Sequence, residues 1–141
     1  MKTTRRNLVE IHNIIERISS KIVSPKLAFR FIKIKQAVKP EIEAIAEAQR
    51  PLAFTPEIEA YNAEQKALSQ EDPEYRAKSL AIYEAHKELV EGYREKEREF
   101  SAMLAEEIEI DAPTIDPDSL PEDLLTIAEI ETLSPLMEEK E

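Results

Sequence analysis

Two histidines, His12 and His86, are the side chains of this chain whose ordinary pKa lies nearest neutrality, so any proton shuttle would start with them. They fall in different helical segments. His12 precedes Glu16 by four residues, a spacing that puts both on one helix face. Neither histidine belongs to an HExxH or Glu-x-x-His pattern, and a metal site needs three or four converging ligands. His12 therefore reads as a surface or boundary histidine and His86 as a satisfied interior one. Thirty Asp and Glu residues make chance carboxylate pairs inevitable, so their proximity in sequence reads as a solvated face. The serines lack a G-x-S-x-G context, and a phosphate-cradling G-x-x-x-x-G-K-[ST] loop is missing. Asp111, Asp116 and Asp118 lack the glycine and ligand spacing of an EF-hand, which leaves an acidic loop. No cysteine is present, which removes thiolate nucleophiles, thiolate metal sites and disulfides together. The expectation is a protein that is not an enzyme, with no catalytic residue, cofactor or metal.

What the sequence offers instead is charge. Residues 1 to 50 carry eleven Lys/Arg against five Glu, whereas residues 51 to 141 carry eight against twenty-five Asp/Glu. Such a chain either docks its own halves or offers surfaces of opposite sign to partners. The residues singled out as a possible interaction surface are Lys26, Arg30 and Lys33 at the basic end and Glu84, Glu88, Glu91 and Glu95 at the acidic end. Helix, turn and basic helix is also the outline of a helix-turn-helix reader, so direct nucleic-acid binding is one alternative. Against it, the net charge of −11 repels a polyanion, and Phe29 and Phe31 sit among the basic residues at positions expected to be buried. The other alternative is an acidic mimic of nucleic acid that inhibits a host nucleic-acid-binding or defence protein. Lys87, Arg94, Lys96 and Arg98, interleaved with the glutamates, dilute that mimicry.

These side chains must be carried by helices, because a single glycine and nine prolines leave little for tight hairpins. Leu8, Ile11, Ile15, Ile18 and Ile22 recur at intervals of three and four and predict a helix from about Thr4 to Lys21. Ser24 followed by Pro25 is a start signal for a second helix with the stripe Leu27, Phe31, Ile34 and Val38, flanked by Ala28 and Ile32. Pro40 either kinks that helix or ends it. Pro51 and Pro56 bracket an irregular stretch, after which Thr55 is positioned to cap a helix through Ile58, Tyr61 and Leu68. Asp72 and Pro73 open the longest pattern, to about Glu107, along Ile82, His86, Leu89, Tyr93, Lys96, Phe100 and Met103. Glu107 to Asp111 alternates with period two and leads into a strap stiffened by Pro113, Pro117 and Pro121. Thr126 and Glu129 have capping-box spacing before a short helix, Ile127 to Leu133, with the apolar face Ile127, Ile130, Leu133 and Leu136. Glu138 to Glu141 reads as a solvated tail.

The order of these motifs resembles a family of small tailed-phage proteins of unknown function. The residues that carry the likeness are Ser24 to Phe29, Lys39 to Glu43, Glu107 to Asp111 and Thr126 to Leu136. The resemblance covers most of the chain except Arg50 to Asp72, and it implies a phage or prophage origin and a setting in the bacterial host cytoplasm or the virion. It brings no active site.

The fold class expected is all-α: an antiparallel helical bundle dominated by one long helix, with a short extended acidic strap and a small C-terminal helix. A single helical domain is expected over 1–141, with a basic region at 4–50, long acidic helices at 55–107, and strap plus short helix at 108–141. The expected function is binding to a protein, from the virion or the host, or to a copy of itself. No run of apolar residues is long enough to span a bilayer, and no membrane partner is expected.

Overall fold

A computed structural model describes all residues except Ile22, Phe54, Lys140 and Glu141. The final member of the first stripe and the end of the acidic tail therefore lie outside the described residues. The chain is mostly helical. In order it forms β1 (Lys2–Thr4), α1 (Arg5–Ile18), α2 (Pro25–Ala53), α3 (Pro56–Lys66), α4 (Tyr75–Ala85), α5 (Lys87–Ala105), β2 (Glu107–Glu109) and α6 (Ile127–Leu133), with 3₁₀ turns at Pro117–Ser119 and Ser134–Leu136. It divides into two compact units, one of residues 1–46 and 103–141 and the other of residues 47–102.

The first unit holds the main core. Leu8, Ile11, Ile14, Ile15 and Ile18 of α1 meet Leu27, Phe31, Ile34 and Val38 of α2, and Ile115, Leu124, Leu133 and Leu136 complete the cluster. Both helices follow the stripes read from sequence, since 3.6 residues per turn bring those positions to one face. Thr4 caps α1, its hydroxyl accepting from the Asn7 amide at 3.1 Å, and Ser24 caps α2 through the Leu27 amide at 3.2 Å. Pro40 does not end α2, which continues to Ala53 with Ile45 buried. The apolar stripe outweighs the one backbone hydrogen bond that proline removes.

The first residues of the chain and the segment that follows α5 meet in this unit. Strand β1 pairs antiparallel with β2, placing Lys2 opposite Glu109, Thr3 opposite Ile108 and Thr4 opposite Glu107. The period-two segment is therefore a strand, and its partner is a stretch of chain expected to be outside any regular element or at a helix start. The proline-rich strap is no loose cover either. Ile115 is fully buried, its amide donating to Leu136 O at 2.7 Å while its carbonyl accepts from Glu138 N at 2.9 Å. Thr126 and Glu129 form the capping box at the start of α6. Within this unit the basic residues of 1–46, ten Lys/Arg against four Glu, fold with an acidic segment of thirteen Asp/Glu against one Lys. Arg5 shows how: its guanidinium donates to Glu41, to Glu106 at 2.7 Å and to the Met103 carbonyl at 3.2 Å. Two carboxylates thereby compensate a cation in the first turn of α1, where the helix dipole disfavours it.

The second unit is built from the end of α2, α3, α4 and most of α5. Ile58 and Val90 are its buried apolar side chains among the described residues. The segment expected as one uninterrupted helix from Pro73 is two, divided at His86, whose amide bonds Tyr83 O at 3.1 Å while its carbonyl accepts from Val90 at 3.0 Å. The seam read from sequence, Ile82, Leu89, Tyr93 and Phe100, is only half-buried. Helix α4 begins two residues after Pro73, because Asp72 caps the preceding turn, accepting from the Glu74 amide at 2.9 Å and from Lys78 Nζ at 2.6 Å. Thr55 precedes α3 as expected but makes no side-chain capping bond.

Candidate docking face on the second helix

The side of α2 turned away from the core carries Lys26, Phe29, Ile32, Lys33, Gln36 and Lys39. Positions three, four and seven apart share a face, so Phe29, Ile32 and Gln36 form an outer ridge with lysines on both flanks. Phe29 is 59% exposed and Ile32 51% exposed. Here the structure departs from the sequence reading, which placed Phe29 in the interior: it lies on the side of α2 opposite the buried Leu27, Phe31, Ile34 and Val38. Lys33 extends its ammonium over the Phe29 ring, 5.2 Å from the centroid, so cation and aromatic present one composite surface.

Alongside this ridge runs a groove of about 500 Å³ between α1 and α2, lined by His12, Glu16, Ile32, Lys35, Ile42 and Glu43, among others. Lys35 Nζ lies 2.8 Å from Glu16 Oε1 and holds that carboxyl below the usual range, while His12 Nε2 lies 4.0 Å from the same oxygen. The Nδ1 atom of His12 is buried without a hydrogen-bond partner. Pro40 adds a further feature. Lacking an N–H, it leaves the Gln36 carbonyl without its usual helical donor, on the exposed side of α2.

The residues singled out from sequence are only partly brought together. Lys26 and Lys33 are exposed on the outward face. Arg30 turns aside, its Nη1 donating to the Thr114 carbonyl at 2.7 Å, and so ties the strap to α2. Glu84, Glu88, Glu91 and Glu95 are all exposed in the second unit, but the break at His86 puts Glu84 on α4 and the other three on α5. Two of them have partners: Glu91 accepts from Tyr83 Oη at 2.9 Å, which raises the phenol pKa, and Glu95 lies 3.2 Å from Arg98. His86 stands in that unit with its Nε2 3.5 Å from Glu64 and its ring edge-on to Tyr61, centroids 5.8 Å apart. The two histidines thus have separate local partners in separate units.

Among the described residues no group of three or more His, Asp or Glu is placed to hold a metal ion, and no helix is long and apolar enough to cross a membrane. No protein-family model, curated protein or solved structure matches the chain. What sequence reasoning missed is the apolar half of the docking face. The signal was present, since projecting Phe29 and Ile32 at helical period sets them beside Lys26 and Lys33 rather than beside Ile34.

Proposed function

We propose that this chain is a non-enzymatic, phage-encoded protein that works by binding another protein, in virion assembly or by engaging a host protein in the bacterial cytoplasm. The phage setting rests on the order of motifs described above. The binding mode rests on one observation: α2 exposes an aromatic and an aliphatic anchor, Phe29 and Ile32, three residues apart on one ridge between lysines. Amphipathic helices dock into such surfaces by anchors at this spacing, and flanking charge selects the partner. The complementary partner is an acidic amphipathic helix.

The test is fluorescence anisotropy with a synthetic acidic helical peptide bearing leucines at i, i+3 and i+7. A DNA duplex and anionic phospholipid vesicles serve as the rival ligands. Binding of the peptide should weaken at least about tenfold in the double variant Phe29→Ser, Ile32→Ser, as loss of a hot spot costs upwards of ~1.4 kcal/mol. Tighter binding to the duplex or the vesicles than to the peptide would overturn the reading.

A further inference from the structure

The acidic, apolar counterpart of the α2 face is present on the same chain. Helix α6 exposes Ile127 at 80% and Ile130 at 44%, and Glu131 shares their side of the helix. Exposed Glu122 and Asp123 precede it in the strap. A lone exposed isoleucine is ordinary, but two adjacent on one helix face, bordered by acid, form a small patch of the kind that interfaces use. The patch cannot fold inward. Leu133 anchors α6 in the core, Asn7 Nδ2 donates to the Thr132 carbonyl at 3.1 Å, and Arg17 pairs with Glu129, so α6 is fixed on α1 with Ile127 and Ile130 outward.

We propose that the occupant of the α2 face is a second copy of this chain: α6 of one molecule packs on the outward face of α2 of another. This rests on the reading of α2 as a docking face and names its partner. Ile127 and Ile130 would meet Phe29 and Ile32, with Glu131 and the strap acids against Lys26, Lys33 and Lys39. Like-with-like pairing is disfavoured, because α2 against α2 sets lysines against lysines and α6 against α6 sets acids against acids. Both faces belong to one compact unit, so each copy carries one donor face and one acceptor face. The second face is then filled either by the same partner, which closes a two-fold dimer with two reciprocal α6–α2 contacts, or by a further copy, which closes a ring or extends a filament. Two apolar anchors on each side make a contact at the small end of specific interfaces, and assembly should therefore depend on concentration.

Sedimentation velocity of the full chain tests this, using two double variants: Phe29→Ser with Ile32→Ser, and Ile127→Ser with Ile130→Ser. All four positions are exposed, and an unchanged melting temperature in each variant verifies the fold. The wild type should associate to a dimer or larger species as concentration rises, and each variant alone should stay monomeric. An equimolar mixture of the two variants should form a dimer and stop, since one intact α6 face can reach one intact α2 face and nothing further can add. A wild type that stays monomeric at the highest workable concentration, a variant that still assembles alone, or a mixture that remains monomeric would each overturn the proposal. If the wild type is monomeric while the acidic peptide still binds α2, only self-assembly fails. If the peptide is refused as well, the docking function falls with it.

Discussion

Replacing Ile115 by alanine tests whether the acidic strap is part of the core or a cover laid over it. The side chain is fully buried against the α1 and α2 cluster, and the backbone on both of its sides is held by hydrogen bonds of 2.7 and 2.9 Å. Ile→Ala in a core costs about 2–5 kcal/mol, more where the surroundings cannot collapse into the space. The pinned backbone limits collapse, so a loss of roughly 3–4 kcal/mol is expected for the first unit. With a urea slope of about 1–2 kcal/mol per molar, the midpoint should fall by more than about 1.5 M. All four tyrosines, Tyr61, Tyr75, Tyr83 and Tyr93, lie in the second unit, so far-ultraviolet circular dichroism should move while the tyrosine signal follows the second unit alone. Glu122→Ala, at an exposed strap position, is the control. A shift in Ile115→Ala no larger than in that control would refute the claim that the strap is structural.

Two further expectations follow from local geometry. Gly92 sits within α5, and a Cβ built there meets nothing within 4 Å, so Gly92→Ala should stabilise the second unit by about 0.5–1 kcal/mol. A rise in the tyrosine-detected midpoint checks this, and a fall would show that the space beside Gly92 is filled in solution. The Glu129 carboxyl is held below its usual 4.5, first by the Thr126 amide and then by Arg17. Its stabilising contribution is therefore complete above that value and is lost as pH falls through the lower folded one. Glu129→Gln keeps the capping-box hydrogen bond but removes the charge, so it should flatten the decline in stability between about pH 5 and 3. An unchanged acid limb in that variant would remove Glu129 from the account.

The helices of the first unit were legible because their stripes are unambiguous. Leu8, Ile11, Ile15 and Ile18 leave α1 no other face to bury, and Ser24-Pro25 and Thr126 with Glu129 mark starts by capping chemistry that needs no tertiary information. The role of the strap was not legible. Ile115 is one apolar residue among prolines and aspartates, and only the folded chain shows that it packs into the core formed by α1 and α2. Strand pairing of Lys2–Thr4 with Glu107–Glu109 joins residues more than a hundred apart, and three-residue strands carry too short a pattern to be read locally. Leu89 and Tyr93 were read as core because helical period reports a face without saying how deeply it is covered. The charge division resolved in part within one unit, where Arg5 and Arg17 find Glu106 and Glu129. For the docking face, the lysines were visible by type, but Phe29 was expected to be buried on hydrophobicity alone and Ile32 was read only as a flank of the buried stripe.

The central claim is that the outward side of α2 is a surface for an acidic amphipathic helix. Its most direct measurement is a backbone amide NMR titration of the labelled chain with the acidic helical peptide. The account predicts shifts that saturate and concentrate between Lys26 and Lys39, with Phe29, Ile32 and Lys33 largest and the α5 glutamates still. Shifts gathered at Glu88, Glu91 and Glu95, or a spectrum unmoved at α2 under saturating peptide, would contradict it.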